Sequence, residues 1–282
     1  MTAILLALMA SGLWGTSDFI GGLRTRTSSV FGVLLVIESV SIAVTGIVVI
    51  VSGDPFPDWG TVALAAGTGL CGAFGLLFFY QALAIGTMSI VAPISACGVV
   101  IPVLVGLISG DPLTALVAAG IVLALAGVVL ASLEATVTEE RQEHTRRSRL
   151  SIVLALASAL GFGGYFVFSD SAADVSIPWL IFLMRLVVLP PLLAFVLLRR
   201  PALPARGDRP LLLVAAGCDA GATALYAIAQ THGVLSVVSM VGALYPVMTV
   251  TLARVVLAER LRRVQAAGIT LAFIGIALLA AG

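Results

Sequence analysis

"AGIVLALAGVVL" at Ala119–Leu130 and "AGITLAFIGIAL" at Ala267–Leu278 are nearly one phrase written twice, 148 residues apart. Gly120 and Gly127 fall on Gly268 and Gly275. Working outward, "GTMSIVAP" (Gly86–Pro93) meets "GVLSVVSM" (Gly233–Met240) at an offset of 147, and "LWGT" around Trp14 meets "FGGY" around Phe162. A nearly constant offset held across half of the chain marks an internal repeat.

The repeat is written in apolar residues. Of 282 residues, 60% are hydrophobic and 10% charged, against about 25% charged in a soluble domain. Such a chain is built for lipid, and its net charge of +1 offers no basic face to a nucleic acid. A membrane helix needs about 20 mostly apolar residues. Cutting at Gly, Pro and charge clusters predicts ten spans, approximately 2–22, 30–51, 60–83, 88–108, 113–132, 150–169, 177–198, 211–231, 235–256 and 264–281. The N-terminal "MTAILLALMASGLWG" has the apolar core of a signal peptide but no basic residue before it, and reads as a retained first span.

Five spans per half is an odd number, so the second copy enters the membrane from the opposite side. The expected fold is therefore an all-α polytopic membrane protein, with ten transmembrane helices in two inverted five-helix repeats. The repeats are residues 1–133 and 150–282, joined by the charged linker "EATVTEERQEHTRRSR", residues 134–149. Orientation follows the arginines; all 15 basic residues are arginine, which suits a GC-rich bacterial source. Arg24, Arg26, Arg141, Arg146, Arg147, Arg149, Arg199, Arg200, Arg206, Arg209, Arg260, Arg262 and Arg263 fall on one side, with Arg254 closing the ninth span. The opposite loops hold Asp54, Asp58, Asp111, Asp170, Asp174 and His232 and no arginine. The arginine side is expected in the cytoplasm of a bacterial inner membrane, with both termini outside.

Charge inside the bilayer costs about 2.5–3.5 kcal/mol per residue and usually faces a cavity with a partner. Asp219, Glu38 and Arg185 each lie about nine residues into a span, roughly 12–14 Å deep at 1.5 Å per residue. Glu38 and Arg185 differ by 147, the repeat offset, and occupy matching places with opposite signs. Asp219, Thr223, Tyr226 and Gln230 follow i, i+4, i+7, i+11, one stripe on one helix face. Gly217 and Gly221 are expected to let a neighbour approach closely. Similar stripes run through Ser11, Trp14 and Asp18; through Cys71, Phe74, Phe78 and Gln81, with Tyr80 beside them; and through Ser239, Gly242, Tyr245 and Thr249. Tyr, Trp, Gln and one acid suit a pocket for an amphipathic organic solute.

Each of these residues has a plainer reading beside the functional one. Asp219 or Glu38 with Arg185 is either a structural ion pair or a solute anchor. Asp18 reads first as an interfacial partner for Arg24. The aromatics are equally packing or belt residues, and Pro93, Pro102 and Pro246 are helix kinks that can shape a cavity. His144 and His232 fall in expected loops, and Cys71, Cys97 and Cys218 read as small buried hydrophobes. No metalloprotease, serine-hydrolase or phosphate-loop motif is present, so neither an enzyme nor a bound cofactor or metal is expected.

"LWGTSDF" (Leu13–Phe19), "GTMSIVAPI" (Gly86–Ile94) and "YPVMTVTLARVVLAERL" (Tyr245–Leu261), with the span count and the repeat, resemble EamA-type members of the drug/metabolite transporter superfamily. The first half departs from the pattern, with "ISGDPL" (Ile108–Leu113) where the second has "LAERL". The resemblance implies a secondary transporter, often an exporter of amino acids, related metabolites or drugs. It implies a central cavity lined by spans 1, 3, 4, 6, 8 and 9, with spans 5 and 10 outside. Trp14, Tyr80, Gln81, Asp219, Tyr226, Gln230 and Tyr245 would then bind substrate, while Glu38, Arg185 and Asp18 supply ion pairs or coupling. The reading is export of amino-acid-like solutes across the membrane by alternating access, with protons as candidate coupling ions and a monomer or homodimer as the working unit. A lipophilic-cation exporter and a non-transporting scaffold are the rivals.

Overall fold

The structure, a computed structural model, describes residues 2–108, 114–132, 142–172, 176–233, 235–258 and 263–281. Twelve helices and no strand occupy the described residues: α1 (Thr2–Thr25), α2 (Val30–Ser52), α3 (Trp59–Ile85), α4 (Met88–Ala96), α5 (Val100–Ile108), α6 (Ala115–Ser132), α7 (Gln142–Ala172), α8 (Ile177–Arg199), α9 (Arg209–Gln230), α10 (Leu235–Gly242), α11 (Tyr245–Val256) and α12 (Arg263–Ala281). Helix is the form in which an apolar chain satisfies every backbone N–H and C=O without water. Among the described residues eight segments are long and apolar enough to cross a membrane, and they match the predicted spans one to four and six to nine. Helices α6 and α12 stand at the remaining two predicted positions. The chain is a multi-pass membrane protein.

Local chemistry sets the helix ends. Gly53 takes φ +66°, the left-handed conformation that closes α2. Asp58 caps α3, accepting hydrogen bonds from the Gly60 and Thr61 amides at 2.7 and 3.2 Å and from the Thr61 hydroxyl at 2.7 Å. Those bonds, led by the Thr61 hydroxyl, hold its carboxyl below the usual aspartate range.

The fourth and ninth spans are each broken in two, where the sequence predicts continuous helices. A 3₁₀ turn over Cys97–Val99 separates α4 from α5, and a turn after Gly242 separates α10 from α11. The cause is the same in both halves. Pro102 has no N–H for the Gly98 carbonyl, and Pro246 has none for Gly242. Helix α7 starts eight residues before the predicted sixth span. The end of the expected linker, His144 included, is therefore helical rather than loop. Residues 134–141 of that linker, with Arg141, and likewise Asp111, Asp174, Arg260, Arg262 and most of "LAERL", lie outside the described residues.

Helices pack across the two halves in matched pairs: α1 on α9 and α3 on α7, α2 on α8, the α4–α5 span on the α10–α11 span, and α6 on α12. Gly120, Gly127, Gly268 and Gly275 are all buried, which suits the close α6–α12 contact. Loops expected on one side of the membrane do meet. Arg24 pairs with Asp208 at 2.6 Å, and Ser29 donates its amide to the Ala202 carbonyl. At the other end the Ser176 hydroxyl and the Trp179 indole bond to Asp54 at 2.7 and 3.0 Å. Cys71 and Cys218 are half-buried, and Cys97 is buried with its thiol donating to the Pro93 carbonyl at 3.4 Å.

Candidate functional site

At the centre of the bundle Arg185 of α8 lies between two carboxylates. Its Nη1 donates to Glu38 Oε1 of α2 at 2.9 Å, and its Nη2 donates to Asp219 Oδ2 of α9 at 2.6 Å. Nη2 also reaches the Thr223 hydroxyl at 3.2 Å, and the Ser41 hydroxyl donates to Asp219 at 3.4 Å. Glu38, Arg185 and Asp219 are 3%, 4% and 6% exposed. A buried cation needs this much compensation, since desolvation costs several kcal/mol per ion. The arrangement is incomplete, however: Glu38 Oε2 and Arg185 Nε are buried without a hydrogen-bond partner.

These groups form one wall of a cavity of about 70 Å³. Trp14 and Asp18 of α1, Glu38 of α2, Phe162, Tyr165 and Phe166 of α7, Met184, Arg185 and Val188 of α8, Asp219 and Thr223 of α9, and Tyr245 of α11 all face it. Helix α3 contributes Gly69, Gly72, Ala73 and Leu76. Gly69 is there because α3 rides directly on the Met184 carbonyl, so that a Cβ at this position would overlap it. Gly15 of α1 approaches the Tyr245 carbonyl in the same way, and its own carbonyl accepts from the Thr249 hydroxyl at 3.1 Å. Gly217 and Gly221 do not serve as close-approach sites: a Cβ at Gly217 would meet open space, and one at Gly221 would make ordinary contact with Leu13.

Asp18 departs from its expected role. Arg24 is taken by Asp208, and Asp18 instead turns into the cavity, 6% exposed. Among the described residues Asp18 makes no hydrogen bond and no ion pair. Three carboxylates therefore share the cavity with one guanidinium, formally two negative charges in excess.

Of the other expected residues, Trp14, Asp219 and Tyr245 line the cavity. Trp14 packs tilted against Tyr226 at 5.1 Å between ring centroids and meets Tyr165 edge-on at 6.1 Å. Tyr226 stands one layer back, fully buried, with its hydroxyl 3.1 Å from that of Ser239. Gln230 is further along α9, accepting from the Ser169 hydroxyl at 2.8 Å. Tyr80 does not face the cavity: it packs over Gly21 of α1. Gln81 is half-buried on α3 outside the lining. The expected Cys71–Phe74–Phe78–Gln81 stripe is rotated away, and Phe74 is 45% exposed. Helices α2 and α8 supply Glu38 and Arg185, whereas among the described residues α4 and α5 supply no lining residue.

Tyr165, Phe166, Gly69 and Gly72 were not singled out from the sequence as cavity residues. A signal existed for the first pair, since "FGGY" occupies the repeat position of "LWGT". For the second, the run "GTGLCGAFG" (Gly67–Gly75) spaces small residues for close helix contact.

No curated protein matches the chain. A solved crystal structure is similar over 98% of this chain and 96% of its own, at 21% identity and a TM-score of 0.69, which carries the fold alone. The family comparison matches the second half, the half that holds Arg185, Asp219 and Tyr245. Residues 149–281 of the chain match the EamA-like transporter family.

Proposed function

We propose that the protein is a secondary transporter that exports small organic solutes bearing a protonated amine, in exchange for protons, by alternating access. The observation that carries this reading is the unpartnered Asp18 in a cavity where three acids face one arginine. An ammonium group supplies the missing cation. Trp14, Tyr165 and Tyr245 line the same cavity, and an aromatic face holds a cation at about 0.5–2 kcal/mol. Protons competing for the same carboxylates make the exchange an antiport. The cavity of about 70 Å³ is several-fold smaller than ordinary ligand sites of ~300 Å³ and above, so its walls must part to load a solute. The matched cross-half packing supports two inverted repeats, residues 1–133 and 150–282, rocking about this centre.

Amino-acid-like zwitterions are the second reading. It rests on Arg185 Nε, which is buried without a partner and is the one guanidinium nitrogen still open to a substrate carboxylate.

The test is solute exchange in proteoliposomes, with amino acids, their decarboxylated amines, quaternary cations and sugar phosphates offered together. Amines are expected to exchange, to follow an imposed pH gradient, and to slow at least tenfold in Asp18→Asn. Exchange of sugar phosphates alone, or wild-type rates in both Asp18→Asn and Asp219→Asn, would overturn the reading. Amino acids exchanging in preference to their amines would give the site to zwitterions.

A further inference from the structure

A second cavity, of about 310 Å³, lies between α2, α3 and α8. It shares Glu38, Ala73, Leu76 and Val188 with the central one, so the two cavities adjoin along these four side chains. Its far side opens where Leu70, Phe74 and Phe195 are 56%, 45% and 37% exposed. In a membrane-spanning bundle that surface faces acyl chains, not water. Every lining group is apolar except Glu38. Glu38 is 3% exposed, and its Oε2 has no hydrogen-bond partner while Oε1 is held by Arg185. Buried acceptors are rarely left empty, and an apolar crevice alone does not explain why one sits at its inner end.

The α8 wall is also built to give way. Pro190 and Pro191 adjoin each other inside the helix, so the Leu186 and Val187 carbonyls lack their usual donors and α8 is weakened beside the crevice. Pro191 itself lines it.

We infer that the crevice between α2, α3 and α8 is a lateral binding site for the apolar chain of an amphipathic amine. The chain enters from the bilayer past Phe74 and Phe195, and the ammonium donates to Glu38 Oε2 at the boundary with the central cavity. Size supports this division: the small central cavity takes a charged head, and the larger apolar crevice takes a tail. The inference rests on the amine reading above and adds both a site for the tail and a route from lipid.

The test is binding of a series of n-alkylammonium ions, ethyl to octyl, to the full chain in lipid nanodiscs. Apparent affinity is expected to rise up to about fourfold per methylene in the wild type. Leu192→Trp and Leu77→Trp each fill the crevice at a residue outside the central cavity. Either is expected to keep ethylammonium binding and flatten the dependence on chain length. Wild-type slopes in both variants, with ethylammonium binding intact, would sink the lateral site and leave the central amine site standing. Absence of ammonium binding in the wild type would instead remove the amine reading and this inference with it. A second measurement puts an indole at the mouth with Phe74→Trp, in nanodiscs of lipids brominated on the acyl chain. Octylammonium is expected to relieve the bromine quenching of that indole. Quenching that octylammonium leaves untouched would assign the crevice to lipid and overturn the proposal.

Discussion

Arg185 is held by Glu38 at 2.9 Å and by Asp219 at 2.6 Å. The three come from three helices, α8, α2 and α9. Removing one member of a buried ion network leaves its partners charged and unpaired, at a cost of about 3–5 kcal/mol. Arg185→Met is therefore expected to lower the thermal unfolding temperature of the purified protein strongly. Adding Glu38→Gln and Asp219→Asn to Arg185→Met is expected to recover most of that loss, because the triple variant no longer buries uncompensated charge. A single variant as stable as the wild type would show that the arginine does not tie the helices together. Asp18 differs in kind: no ion pair depends on it among the described residues, so Asp18→Asn is expected to spare stability while slowing exchange.

Helices α4–α5 and α10–α11 show the same device at the next scale. Pro102 and Pro246 each withhold an amide from the residue four positions earlier, and each span breaks there. In the second half the break has a direct consequence: Tyr245 becomes the first residue of α11 and turns into the cavity beside Phe162, at 6.0 Å between ring centroids. Pro246→Ala restores the missing donor. It is expected to extend α10 into α11, leave stability equal or higher, and reduce solute exchange at least tenfold by redirecting Tyr245. Unchanged exchange would mean that the tyrosine's position does not depend on the break.

At the scale of the whole molecule, described loops expected on the same side of the membrane meet one another. Arg24 and Asp208 mark one end, and Asp54, Ser176 and Trp179 mark the other. The positive-inside bias then predicts the orientation. In a background with Cys71, Cys97 and Cys218 replaced, Asp54→Cys is expected to react in intact cells with a maleimide that cannot cross membranes. Arg206→Cys is expected to react only after permeabilisation. The reverse pattern would turn the protein over and place both termini in the cytoplasm.

The helical membrane fold was legible in the sequence because lipid leaves an apolar chain few choices, and because a helix repeats every 3.6 residues. Periodicity put Asp219, Thr223, Tyr226 and Gln230 on one face, and all four are buried. The shared offset of 147 paired Glu38 with Arg185, and they do pair. Periodicity says which residues share a face, but it does not say which neighbour that face meets or how far the helix turns about its axis. Tertiary packing settled those points. Contact of Gly69 with the Met184 carbonyl turned α3 so that its glycines, not its aromatics, line the cavity. Pairing of Arg24 with Asp208, 184 residues away, left Asp18 to the interior. The cavity's charge balance, and with it the chemistry of the solute it suits, exists only once α1, α2, α8 and α9 are brought together.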